Sequence, residues 1–271
     1  MTQRPEDIPF QTAPNAGPLD TQTSVKSALR TLHVFEFFLL NRRHATAKEI
    51  ATDLNIPQSS MSMLLRSLKD HGYLDYNERD KTYLPTPRVT LLGAWLDQGP
   101  IRDGRLIDAL NWLSEETREA VVVATRIGIY SHYIYVIPAT GNLRYHIPIG
   151  SRRLAATSAT GQILLSHLDD EEISAIIRRT NSEIAEVQID LKKTLETIRA
   201  ARAAEYAFSR GQVTPGAGAI AVTLPHSIET AGRPLAVSIA SLLPTLEQRE
   251  AEFVEKLTMV REQVAGAKDV S

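Results

Sequence analysis

The sequence contains no cysteine, which excludes a disulfide framework, a thiolate zinc centre, an iron–sulfur cluster and a cysteine nucleophile together. Long apolar runs are missing too. Stretches such as Phe37 to Leu40 and Ala120 to Ala124 fall far short of the roughly 20 residues that a membrane-crossing helix needs. No membrane partner is expected, and the reducing cytoplasm is the expected location. Nor does charge of one sign dominate: 30 Lys and Arg against 32 Asp and Glu give a formal net charge of −2. The molecule as a whole therefore does not attract nucleic acid, and any surface that does must be local. Neither a G-x-S-x-G elbow nor a P-loop occurs, so no nucleophile or cofactor cradle can be named, and the chain reads as a non-enzyme without a cofactor. Gly216 to Ala221 spells G-x-G-x-x-A, but Pro215 precedes it and a strand-like run follows, whereas a dinucleotide turn needs a strand before and a helix after. His132 and His146 lack a third ligand nearby, so they read as ordinary packed or surface histidines and no metal site is expected.

What is present is 271 residues, 43% of them hydrophobic, enough for two domains with separate cores. Residues 1–23 hold Pro5, Pro9, Pro14 and Pro18 with almost no apolar periodicity, the composition of a disordered leader rather than of a signal peptide. From Ser24 the pattern turns helical, with Val25, Ala28, Leu29, Leu32 and Phe35 marking one face. Thr46 and Glu49 have capping-box spacing ahead of a short second helix, and Asn55-Ile56 makes a turn. A third helix is predicted to open near Pro57, to bury Met61, Leu64, Leu65 and Leu68, and to stop at Gly72. Two short strand-like runs follow around a polar tip, Asn77 to Asp80. Beyond a helical segment from Val89 and a break at Gly99-Pro100, residues 101–268 alternate strand-like and helical runs. Strands are expected at Ala120–Arg126, Tyr130–Val136, Leu143–Ile147, Tyr206–Phe208, Ala217–Leu224 and Leu235–Ala240, the second and third pairing antiparallel. That order predicts an α+β fold with an antiparallel sheet.

Helix, helix, helix and hairpin in succession give the third helix a role. Opposite its apolar stripe lie Ser59, Met63 and Arg66, with Ser62 beside them, Ser60 adjacent and Gln58 at the leading end. Small hydroxyls allow close approach to a major groove, glutamine pairs with adenine, and methionine lies against a thymine methyl. Arg79 and Lys81 at the hairpin tip are placed to touch phosphates. The formal charge of residues 24–90 is +3, against −2 for the leader and −3 for the remainder, so only this segment is positive.

These residues also resemble a known family. Glu49-Ile50-Ala51, Ile56-Pro57-Gln58-Ser59-Ser60-Met61, Leu64-Leu65-Arg66-Ser67-Leu68 and His71-Gly72-Tyr73-Leu74 look like the winged helix-turn-helix of the IclR family of bacterial transcription regulators. Pro148-Ile149-Gly150-Ser151, Thr157 to Leu165 and Pro215-Gly216 look like that family's effector domain. The resemblance implies a winged helix-turn-helix over 24–87, a linker helix over 88–100 and a GAF-like α+β domain over 101–268. It further implies a homodimer or tetramer on double-stranded operator DNA, and a small-molecule effector. Met63 stands where the family commonly has arginine, Gln212 where it has glutamate and Thr223 where it has proline, so no particular effector is carried over.

The expected effector is a small organic acid held near Ser158, Ala159, Thr160 and Gly161, where hydroxyls and the free N–H groups of a helix start favour negative charge. Arg152 and Arg153 are candidate assistants, with surface solvation the competing role for at least one of them; Tyr133, Tyr135 and Tyr145 leave room for an aromatic acid, and capping is the competing role for Ser158. The resemblance adds Ser209, Ala219 and Ser241 to the lining. A ligand-responsive transcriptional regulator is the reading adopted; a DNA-tethered enzyme acting on a small molecule is the alternative, and a ligand-blind structural DNA-binding protein a third.

Overall fold

The computed structural model describes residues 25–93, 104–141, 147, 150–225 and 233–265. The expected leader, most of the 88–100 linker, and the strand from Leu143 save for Ile147 lie outside the described residues, as do Tyr145 and His146. Two compact units divide between Leu96 and Asp97.

The first unit runs α1 (Lys26–Asn41), β1 (Ala45–Thr46), α2 (Ala47–Asp53), α3 (Gln58–Asp70), β2 (Leu74–Asn77), β3 (Thr82–Pro85) and α4 (Pro87–Gly93). Thr46 and Glu49 form the predicted capping box: the Thr46 hydroxyl accepts from the Glu49 N–H at 3.3 Å, and the Glu49 carboxylate accepts from the Thr46 N–H at 2.7 Å. Both α2 and α3 then end in the same left-handed stop. Asn55 (φ 50) follows α2, where the Ile56 N–H reaches the Ala51 carbonyl at 2.9 Å; Gly72 (φ 76) follows α3, where the Tyr73 N–H reaches Leu68 at 2.8 Å. Only glycine and, at modest cost, asparagine take this conformation readily. Pro57 sits at the N-cap of α3, one residue earlier than the first helical turn.

Val34, Phe37 and Phe38 of α1 close over Ile50, Met61, Leu65 and Leu68. The inward stripe of α1 thus differs from the expected one. Val25 is 68% and Leu32 57% exposed. Periodicity allows either stripe to face in, and the one carrying two adjacent phenylalanines buries more area, at about 25 cal/mol per Å². β1 adds to β3 antiparallel, giving a three-stranded sheet in the order β1-β3-β2.

The second unit contains α5 (Arg105–Thr117), β4 (Ala120–Ile127), β5 (Tyr130–Ile137), β6 (Arg152–Leu154), α6 (Ala159–Leu165), α7 (Asp170–Glu183), α8 (Leu191–Ala204), β7 (Ala207–Arg210), β8 (Ala217–Thr223), β9 (Leu235–Leu242), α9 (Leu243–Gln248) and α10 (Glu250–Ala265). All strands pair antiparallel in the order β6-β5-β4-β9-β8-β7. Helices cover both faces. One face presents Val121, Val123, Ile220, Val237 and Ile239 to Leu110, Leu113, Phe253 and Leu257 of α5 and α10. The other carries alanine: Ala207, Ala221 and Ala236 pack against Ala159, Ile163 and Leu164 of α6. Among the described residues the partner of β5 opposite β4 is Arg152–Leu154, a strand that three residues with two arginines do not announce.

Small side chains on that face lie under α6, and Gly161 is where the helix meets the backbone of Ala155, just after β6. A Cβ there would stand 2.3 Å from the Ala155 backbone, so Gly161→Ala is expected to lower the stability of the second unit by about 1–3 kcal/mol through overpacking, read as an earlier denaturant midpoint with an unchanged transition for the first unit. The capping box makes a pH prediction. The Thr46 N–H, then the Thr46 hydroxyl and Arg43 hold the Glu49 carboxyl down to about 2 from its ordinary 4.5. A depressed carboxylate stabilises above its unfolded value and loses that contribution as the proton binds. As the pH falls from 4.5 to about 2, the protection factors of the α2 amides, exchange relative to the free-peptide rate at each pH, should fall in the wild type and change less in Glu49→Gln.

Candidate functional site

In the first unit, burying Met61, Leu65 and Leu68 turns the opposite face of α3 outward. Gln58, Ser59, Met63 and Arg66 are exposed, Met63 to 71%, and Ser60 and Ser62 are half-buried at the flanks. The six residues named from the sequence around this helix therefore share an accessible surface, with Gln58 at the first helical position. The β2–β3 tip is built by Asn77, whose side-chain oxygen accepts from the Arg79 N–H at 3.0 Å and the Asp80 N–H at 3.3 Å. Lys81 adopts φ 55 in the last turn position. Arg79 and Lys81 project from it exposed, with no carboxylate in ion-pair contact among the described residues. This surface offers hydroxyls, an amide, a thioether and cations, the groups that read base edges and phosphates.

In the second unit a cavity of about 30 Å³ opens between β5, β6, the start of α6 and the β7–β8 end of the sheet. Tyr133 reaches it through a β-bulge. Val123 pairs with Tyr135 and Ala124 with Tyr133, which leaves Ile134 as an extra residue. Tyr133 and Tyr135, two apart, therefore face opposite sides, although simple alternation puts them on one. Tyr135 packs against the α5–α10 core.

Four of the seven residues expected at the effector site line this cavity: Ser158, Ala159, Ser209 and Ala219. The Ser158 hydroxyl accepts from the Gly161 N–H at 3.3 Å and donates to the Leu154 carbonyl at 2.9 Å, so it caps α6. Thr160 turns instead to Ser131, hydroxyl to hydroxyl at 2.8 Å. Gly161 is spent on the contact with Ala155. Ser241, next to the lining Ala240, alternates to the other face of β9.

Arg153 is the group that the sequence left least defined. It lines the cavity and is 6% exposed. Its guanidinium donates to the Arg152 carbonyl at 3.1 Å and lies 5.7 Å from the centre of the Tyr133 ring. No carboxylate pairs with it among the described residues. Pairing of β6 with β5 decides which of two adjacent arginines enters: Arg153 sits opposite the inward Ser131, and Arg152 opposite His132. A guanidinium stays charged in any protein environment, and an unpaired buried charge is costly unless an anion joins it. His132 is held below its usual range by burial first and then by Arg152, and the described residues contain no group of three potential metal ligands.

Comparison with known proteins gives a consistent result for both units. Residues 105–265 match the bacterial transcriptional regulator IclR C-terminal domain and residues 27–78 the IclR helix-turn-helix domain. The Pca regulon regulatory protein of Pseudomonas putida is 29% identical over 160 residues, covering 57% of this chain and 53% of that protein. The p-hydroxybenzoate hydroxylase transcriptional activator of Acinetobacter baylyi is 27% identical over 209 residues, 74% of this chain and 76% of that one. The chain spans only about half the length of some curated relatives that it matches, 53% and 55% for two of them. Among solved structures, an IclR effector domain from Acinetobacter sp. ADP1 is 26% identical with a TM-score of 0.57, covering 61% of this chain and 96% of that one. An IclR family regulator from Brucella abortus shares the fold at 22% identity, with a TM-score of 0.54 over 96% of this chain and 99% of its own.

Proposed function

The chain belongs to the IclR family of bacterial transcriptional regulators, and on that premise we propose that it is a sequence-specific DNA-binding regulator whose operator affinity is set by a small organic acid. The observation that carries the effector class is Arg153, a buried guanidinium in the cavity of the second unit without a carboxylate partner among the described residues. A carboxylate entering beside it supplies the missing countercharge through a charge-assisted, bidentate hydrogen bond. Ser209 and the Ala159 backbone complete the contact, while Ser158 keeps α6 in place. Tyr133 presents a ring to the ligand body. A relative named as the activator of p-hydroxybenzoate hydroxylase makes aromatic acids sensible members of a test panel. The exposed face of α3, with Gln58, Ser59, Ser60, Ser62 and Arg66, supports major-groove reading, and Arg79 and Lys81 support phosphate contact. Self-association then joins two weakly basic heads on an inverted repeat with half-sites about a helical turn, or a multiple of it, apart. The alternative, an enzyme tethered to DNA, would consume its acid; the regulator returns it unchanged.

Two measurements test this reading. On an operator selected from genomic fragments, Arg66→Ala should weaken binding, and if it reads a base the preference at one position relaxes by about 1–3 kcal/mol. Arg79→Ala and Lys81→Ala should weaken all sequences alike and flatten the salt slope by about 1 for each phosphate left without its cation. Calorimetry with acetate, benzoate and 4-hydroxybenzoate should find that Arg153→Met reduces affinity about tenfold or more, the worth of a hydrogen bond to a charged group, with thermal stability no lower than the wild type because an unpaired buried charge has gone. An acid that shifts operator affinity yet binds Arg153→Met as tightly as the wild type would remove Arg153 from the site.

A further inference from the structure

A second, larger cavity of about 330 Å³ lies elsewhere in the second unit, and it shares no lining residue with the first. Its walls come from the β4–β5 turn (Arg126, Ile127, Gly128), from α6 and the residues after it (Leu164, His167, Leu168), and from Arg233 and Pro234 at the entry to β9. Two guanidiniums and an imidazole line it, and among the described residues no carboxylate does. Thr125 fixes the Arg233–Pro234 corner by donating to the Pro234 carbonyl at 3.1 Å. Arg126 is half-buried, and its guanidinium donates to the Gly128 carbonyl at 2.9 Å. Neither Arg126 nor Arg233 has an ion pair among the described residues. Burial pushes the Arg126 value down, Glu172 opposes the shift, and Arg233 adds to it by repulsion. Glu172 is itself committed to the cap of α7, where its carboxylate accepts from the Asp169 N–H at 3.2 Å and its own N–H reaches Asp169 at 2.8 Å. Two like charges are thus held around one hollow, and Glu172, the acid whose charge reaches Arg126, is tied elsewhere. Leu164, Leu168 and Pro234 give the hollow an apolar wall.

We propose that this cavity is a binding site for a small organic dianion, a phosphate monoester or a dicarboxylate with an apolar body, clamped between Arg126 and Arg233. Guanidinium forks fit phosphoryl and carboxylate groups alike, and two of them match a doubly charged head better than the single Arg153 of the first cavity does. The volume is within the range of small-ligand sites, and the mixture of an apolar wall with a few convergent polar groups is their usual composition.

Calorimetry on the full chain with phenyl phosphate, inorganic phosphate, glutarate and phenol tests the proposal. Saturable binding of phenyl phosphate or glutarate is expected, with phenol much weaker; whichever dianion binds tighter identifies the source of the charge. Arg126→Gln and Arg233→Glu should each weaken that dianion about tenfold or more, while Arg153→Met leaves it within about twofold. Because Arg233 is exposed, its variant keeps the test valid should Arg126→Gln lose its circular-dichroism signature. Four results would overturn the proposal: no saturable dianion binding at millimolar concentration, phenol binding as tightly as phenyl phosphate, unchanged affinity in Arg233→Glu, or loss of binding on Arg153→Met alone.

Discussion

The approach of α6 to the sheet is the constraint on which the second unit depends. A helix normally stands off a sheet by the thickness of its side chains. Here the sheet presents alanines at positions such as 207, 221 and 236 to α6, and Gly161 lies on the Ala155 backbone, just after β6, with no room for a Cβ. This seating of α6 has Ser158 as its cap rather than as a free hydroxyl and Thr160 in a buried bond with Ser131. It also brings both ends of one short helix to hollows: Ala159 lines the smaller cavity and Leu164 the larger. With α6 held this way, the rest of the smaller cavity's lining is mostly small, with Tyr133, Ile147 and Val213 as its larger uncharged members, and among the described residues its one charged side chain is Arg153.

The first unit was largely legible in the sequence because its signals are local. A capping box needs only Thr46 and Glu49 three apart, and a left-handed stop needs an asparagine or glycine where Asn55 and Gly72 stand. Once α3 buries Met61 and Leu65, the outward position of Ser59 and Arg66 follows from 100° per residue. The inward stripe of α1 was not legible, since two apolar faces compete and only the packing of Phe37 and Phe38 decides between them. In the second unit most strands and the helix Leu191–Ala204 were readable from apolar runs, but three facts that build the cavity are non-local. The bulge at Ile134 separates Tyr133 from Tyr135, β6 exists because it pairs with β5, and that pairing alone chooses Arg153 over Arg152. Spacing within the sequence carries no information about a register set by a distant strand.

The two units use charge in opposite ways. In the first, cations at the β2–β3 tip stay in solvent, where each costs little, and on the proposed reading they act through the long-range field of a phosphate backbone. In the second, Arg153 is withdrawn from water, which is unfavourable in the empty state and is relieved when an anion enters. A buried cation of this kind lowers stability in exchange for ligand selectivity, the common relation between stability and function at binding sites.

On the proposed reading the size of the smaller cavity constrains how an acid transmits its presence. About 30 Å³ is small beside the several hundred of most small-ligand sites, so the body of a bulky acid bound beside Arg153 must displace lining. One segment of that lining is the β7–β8 turn, which contributes Val213 and Thr214 to the wall and is bounded by Gly211 and Gly216, both at positive φ. It is also tied onward, since the Gly216 carbonyl accepts from the Leu243 N–H at the start of α9 at 2.9 Å. An acid with a larger body gains apolar contact but loses more of the turn's own packing, so affinity need not rise with ligand size. A ligand shifts a conformational equilibrium only by its differential affinity for the two states. The displacement of this turn, rather than the neutralisation of Arg153 common to every acid, is therefore the part of the interaction that can separate an effector from a bystander.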